Sequence, residues 1–200
     1  MQTNTVHKKS LLSSKSSIIL QEYAKHSGGT YVPSSMKGWK YTSQHVKIEL
    51  AHGMGKIIAT LTDGSNSSNS VPMIQLKFGY RPRRKLECYI NPIKRPIFLL
   101  FQRHLRPASM PNSAVGKVFH AKASHPSVLR SVLKQEGLDQ ALLDNPHGSF
   151  KIVLKAGKAS LSYSESCKKP DVQKLEASVR LMKMFIHSLY EQGVIYEAAH

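Results

Sequence analysis

Carboxylates are scarce in this chain. Asp and Glu number 12 against 29 Lys and Arg, which leaves a formal net charge of +17 with the 10 histidines neutral. The acids stand mostly alone, so paired-carboxylate acid–base chemistry has little to build on. Cysteine is scarcer. Cys88 and Cys167 lie far apart, in no C-x-x-C and at no metal-ligand spacing. They read as two thiols in a reducing compartment rather than as a disulfide framework. Long apolar runs are missing too: no stretch approaches the roughly 20 residues that a bilayer-crossing helix needs. Lys8 and Lys9 precede Leu11 and Leu12, but Lys15 and its serine neighbours break that run, and no small-residue cleavage pattern follows. Arginine, which organellar transit peptides favour, is absent there. The expectation is a cytoplasmic protein with no transmembrane segment.

Catalytic signatures are also missing. Contexts that activate a nucleophile, such as G-x-S-x-G, S-x-x-K or a Cys–His pairing, do not stand out. Gly53 and Gly55 belong to a hairpin turn, and no G-K-[ST] follows them to make a phosphate loop. His45 and His52 face across that hairpin and His120 and His125 are close in sequence, yet neither pair has an acid or thiol at a recognised spacing. No cofactor, metal or catalytic residue is implied.

What the chain does contain is clear periodicity. In residues 171–192, Val172, Leu175, Val179, Met182, Ile186 and Leu189 recur at steps of three and four, and Leu181 and Phe185 widen the stripe. Asp171 is placed to cap this long helix and Gly193 to end it. His187 stands four residues before Glu191, a local helix pair. A first helix is expected over 10–26, stopped by Gly28 and Gly29, after a frayed tail at 1–9. Trp39 reads as a packing anchor in an irregular segment. Val46, Ile48 and Leu50, then Ile57, Ala59 and Leu61, alternate with polar residues about a turn and predict a hairpin. Residues 63–70 are a polar loop. Ile74, Leu76, Phe78 and Tyr80 make another strand face, and short strands are expected at 86–90 and 97–101. Residues 106–116, with Pro107 and Pro111, read as a loop.

The second half is well punctuated. A strand over 118–123 leads to a helix opened by Ser124 and Pro126 and closed by Gly137. A short helix follows at 139–144. Phe150, Ile152 and Leu154 alternate up to a turn at 156–158, and Leu161 and Tyr163 lie on the return strand. The order predicts an α+β fold: an antiparallel sheet of meanders and hairpins, helices packed on one face, and the long helix at the end. One domain over 10–200 is expected, with 10–106 and 117–200 as conceivable sub-lobes. The run VFHAKASHPSVLRSVLKQEGLDQALL, then a hairpin and a long helix, resembles uncharacterised bacterial α+β proteins over residues 117–195. The matching positions are apolar. The resemblance implies the fold and carries over no site residue.

The densest charge lies at 81–106. Arg81, Arg83, Arg84, Lys85, Lys94, Arg95, Arg103 and Arg106 stand against one acid, Glu87, with Tyr80, Tyr89, Phe98 and Phe101 interleaved. Arginine forks suit phosphate oxygens and aromatic faces suit bases. The functional expectation is a non-catalytic module whose anion-binding surface is Arg81, Arg83, Arg84, Lys94, Arg95, Arg103 and Arg106, facing nucleic acid or an anionic membrane. The plainer reading is cations that guard strand ends from aggregation. The run PIFLLFQRHL, residues 96–105, reads either as a buried strand or as a shallow membrane wedge. A second expectation is a scaffold whose helix over 171–192 takes a protein partner.

Overall fold

The computed structural model describes residues 14–64, 71–94 and 104–196. Strand alternation decides its architecture. β1 (Thr30–Val32) leads into a small ribbon of β2 (Ser35–Lys37) and β3 (Lys40–Thr42). β4 (His45–Glu49), β5 (Lys56–Thr62) and β6 (Met73–Tyr80) then form the predicted meander, each turning every second side chain inward. β7 (Cys88–Pro92), β8 (Arg106–Ala108) and β9 (Phe119–Ala123) follow, and β10 (Gly148–Lys155) and β11 (Lys158–Ser166) close a hairpin. Its turn holds Ala156 at φ 49° and Gly157 at φ 74°. Both central positions of such a tight turn need positive φ, which glycine tolerates better than alanine.

Among the described residues, nine strands make one antiparallel sheet in the order β1-β4-β5-β6-β11-β10-β7-β9-β8. β6 and β7 are consecutive in sequence but do not pair, because the β10–β11 hairpin lies between them. The centre of the sheet is therefore closed by the last strands of the chain. One register row runs through Val46, Ala59, Leu76, Tyr163, Phe150, Ile90, Ala121 and Ala108. Every member is buried. Fully burying a large aliphatic or aromatic side chain is worth about 1.5–3 kcal/mol, so this face carries the core.

Helices cover it. α1 (Lys15–Ser27) lies on β4 and β5, and α3 (Pro126–Leu133) on β8 and β9. α2 (Ser113–Gly116), α4 (Leu138–Leu143) and α5 (Val172–Glu191) complete the layer. α1 starts where Ser14 Oγ accepts from Ser17 N and stops at Gly28, φ 68°. α5 begins as predicted: Asp171 accepts from Lys174 N at 2.7 Å, and Gly193 follows its end at φ 62°. Leu175, Val179, Leu181, Met182, Phe185, Ile186 and Leu189 are buried. The stripe offered to a partner helix is thus spent on the protein's own core. His187 Nδ1 lies 3.4 Å from Glu191, as the spacing predicts.

Several expectations change. Trp39 is no anchor: it stands 102% exposed at the tip of the β2–β3 ribbon, with Met36 at 72% and Tyr41 at 66%. The ribbon runs past the sheet, so it has no second layer to pack on. Residues 106–116 are not simply a loop, since β8 pairs with β9 and Asn112 caps α2 by accepting from Val115 N at 2.8 Å. Pro107 fits there because β8 is an edge strand. Ser124 does not cap α3; its Oγ accepts from Glu87 N at 3.0 Å, and α3 opens on Pro126 without a side-chain cap. The tail at 1–9 and the strand expected at 97–101 lie outside the described residues.

Candidate functional site

The basic residues singled out in 81–106 are not all brought together. Arg81, Arg83 and Arg84 share an exposed turn after β6. That turn is tied to the chain after α5: Arg83 N and Arg84 N donate to Val194 O at 2.8 and 3.3 Å, and Pro82 bridges to Ile195. Lys94 follows Pro92 off the other end of the sheet, about 20 Å of strand away. Arg106 is exposed on the outer edge strand, five strands from β6. Arg95, Arg103 and most of the 96–105 run lie outside the described residues. Glu87, the acid within this stretch, accepts from Leu154 N at 3.3 Å and lies 3.5 Å from His104 Nε2.

A different basic surface emerges from the sheet itself. The side chains that alternate with the core row point to the other face. In register, one row there reads Thr30, Lys47, Ile58, Lys77, Ser162, Lys151, Tyr89, Lys122 and Pro107. Lysine occupies every second strand from β4 to β9. At about 4.8 Å per strand, the ammonium-bearing positions repeat every ~9.6 Å over about 29 Å. Lys77 and Lys151 are exposed, and Lys47 and Lys122 are half-buried along their stems. Lysine stems lie against apolar surface while the ammonium stays in water, and half-buried Ile58 and Tyr89 supply that surface here. The Lys151 ammonium stands 5.1 Å from the centre of the Tyr89 ring, a cation–π contact.

Lysines outnumber acids on this face, where alternation also places Glu49 two residues along β4 from Lys47. Among the described residues, Lys47, Lys77 and Lys151 have no carboxylate within ion-pairing distance. The neighbouring rows add hydroxyls and amides, with Thr60, Gln75, Ser164 and Ser149 side by side. At one end Lys155 and Lys158 are direct partners, and Arg81 follows Tyr80 beside them. Of the residues chosen from sequence, Arg81 alone lies next to this face by register. The row was missed because each lysine, in its own strand, is only the wet half of an alternation. Six pairings among seven strands, from β4 to β9, are what align them.

Among the described strand residues, the inward face holds one acid. Glu165 lies in register with Ile74 and Gly148, 1% exposed. It accepts from Tyr163 Oη at 2.7 Å and Ser178 Oγ at 3.3 Å, and pairs with Lys174 Nζ at 2.7 Å. These bonds tie α5 to β11. Burial and the Glu165 charge push the Tyr163 phenol well above its usual range. Burial alone pushes the Cys88 thiol up to about 12, and Cys88 and Cys167 are both free thiols. A polar cavity of 660 Å³ between α1 and the root of the ribbon is lined by Ser14, Ser16, Ser17, Gln44 and Asp63. Those groups bond to one another: Ser16 Oγ donates to Asp63 at 2.8 Å and accepts from Gln44 Nε2 at 2.6 Å. Among the described residues no cluster of His, Cys, Asp and Glu could hold a metal ion, and no helix is long and apolar enough to cross a membrane.

No protein-family model, curated protein or solved structure matches the chain.

Proposed function

We propose that this protein is a non-catalytic binding module that holds a phosphate-bearing polyanion across the face of its sheet opposite the described helices. The observation that carries the reading is the register row that places Lys47, Lys77, Lys151 and Lys122 on alternate strands. Lysine is a compact point charge that meets phosphate without demanding one orientation. A row of them neutralises a phosphate chain and releases its condensed counterions, which is a sequence-independent source of affinity. The hydroxyls and amides of the next row add neutral donors to phosphate oxygens. The net charge of +17 raises the encounter rate with any such partner. The Arg81 turn extends the same basic field along the strand direction, four residues past Lys77.

Charge reversal tests it. The variant K47E/K77E/K151E is expected to lose binding to a single-stranded oligonucleotide while keeping its circular dichroism spectrum and melting transition. Reversal of Arg81, Arg83 and Arg84 is expected to weaken binding severalfold without abolishing it. The opposite ranking would move the binding surface back to the 81–84 turn. Equal affinity in both variants and the parent would end the reading.

A further inference from the structure

The β2–β3 ribbon supports a second step, which rests on the polyanion reading and names the ligand. We propose that the ribbon is an aromatic arm that stacks unpaired bases of a single-stranded nucleic acid, whose backbone lies on the lysine row.

Register is the first support. β2–β3 continues the β1–β4 pairing without a slip across Pro33 and Ser34: Thr30 opposite Lys47, Val32 opposite His45, then Ser35 opposite Thr42 and Met36 opposite Tyr41. Side chains alternate, so the Met36–Tyr41 pair falls on the same side as Thr30–Lys47. Counted across the break at residues 33–34 and 43–44, that parity puts the arm in line with the side of the sheet that carries the lysine row. Exposure is the second. Trp39, Tyr41 and Met36 present most or all of their side chains to water. Bare ring faces are what unstacked bases lie on, whatever their sequence.

Charge is the third. Lys37 and Lys40 face each other directly across the ribbon. A like-charge cross-strand pair opposes ribbon pairing, and an anion between the two relieves it. Anchoring is the fourth. Gln44 donates from Nε2 to Ser16 Oγ at 2.6 Å and accepts at Oε1 from Tyr31 Oη at 3.2 Å. The root of the arm is thus fastened to α1 and β1. Gly38, at φ 58°, takes the first loop position that a two-residue hairpin turn reserves for glycine, and Trp39 takes the second.

Single strands fit this layout best. A duplex keeps its base faces stacked inside. A bilayer offers Trp39 and Tyr41 no ring faces to stack on. A single strand engages both, phosphates on the row and bases on the arm.

The chain holds one tryptophan, so the arm is its own probe. The full chain is titrated at low salt with an oligothymidylate of about 16 nucleotides. Trp39 emission should be quenched without a blue shift. Trp39→Ala should bind about 10-fold more weakly with an unchanged salt slope, and Trp39→Phe should recover most of that loss. If the oligonucleotide binds with Trp39 emission undisturbed and Trp39→Ala binds as tightly as the parent, the arm is overturned while the polyanion reading stands. A blue shift on phosphatidylserine-containing vesicles, with no quenching by the oligonucleotide, overturns the arm as a base-stacking device and makes it membrane-facing. No binding of the oligonucleotide or of the vesicles at low salt overturns both steps.

Discussion

The Lys174 ammonium lies 2.7 Å from the Glu165 carboxylate, whose side chain is only 1% exposed. The pair fastens the first turns of α5 to β11. Lys174 Nζ also donates to Asn145 Oδ1 at 3.0 Å, and Asn145 Nδ2 donates to Ala141 O at 2.8 Å, which brings in the end of α4. Lys174→Met leaves a buried carboxylate without its counter-charge. The expected loss is about 3 kcal/mol, read as a lower urea midpoint. Glu165→Gln keeps an oxygen for the Tyr163 and Ser178 donors and should cost less. A Lys174→Met variant as stable as the parent would show that the pair does no more than break even.

Gly148 is a second point of tight fit. A Cβ added there would meet Tyr163 Cε2 at 2.5 Å and its Oη at 2.6 Å, closer than real Cβ contacts come. The ring cannot move aside freely, because it packs on Phe150 with centroids 4.9 Å apart and its hydroxyl is bonded to Glu165. Gly148→Ala should therefore cost about 1–3 kcal/mol by overpacking. A crystal structure or near-ultraviolet spectrum of that variant should show the tyrosine displaced.

Alkaline pH should weaken the fold. Cys88 has its pKa raised by burial to about 12, and burial also raises Tyr23, Tyr80 and Tyr163. In each case the folded state keeps a proton that the unfolded chain has released. Their contribution is fully present below the unfolded values near pH 9–10 and is lost as pH rises towards the folded ones. The slope for Cys88 alone approaches ~1.4 kcal/mol per pH unit in that window. Urea midpoints should hold steady from pH 7 to about 8.5 and fall by about pH 10.5. The same thiol should resist a disulfide reagent at pH 8, leaving the half-buried Cys167 as the reactive one.

How much of this was legible beforehand follows from which distances along the chain matter. The α5 stripe, its Asp171 cap and the hairpins β4–β5 and β10–β11 are written within a few residues of each other, and they form as read. The insertion of β10–β11 between β6 and β7 is not, because any apolar strand face could have paired there. Trp39 was misread for the same reason. Its size suggests a core position, but its ribbon runs beyond the helical layer and leaves it nothing to pack on. The lysine row is the extreme case. Lys47, Lys77, Lys122 and Lys151 acquire a common spacing only through pairings between strands far apart in sequence.

Removing charge from that row should not cost the fold. Lys77 and Lys151 are exposed, and Lys47 makes no ion pair among the described residues. Surface substitutions of this kind usually change stability by about 0.5 kcal/mol or less. Relief of lysine–lysine repulsion across the sheet should leave the melting temperature of Lys77→Gln equal to or slightly above the parent's. A large destabilisation would mean that the row is structural and that binding losses in its variants say nothing about function.

The most direct test of the central claim is the salt dependence of oligonucleotide affinity. Contact with the lysine row predicts that the logarithm of the association constant falls linearly with the logarithm of salt concentration between about 50 and 200 mM, with a slope near −3 for a single strand. In Lys77→Gln the slope should shrink by roughly 0.7 as one phosphate contact is lost. Absence of binding at the lowest salt, or an affinity indifferent to salt, would contradict the account.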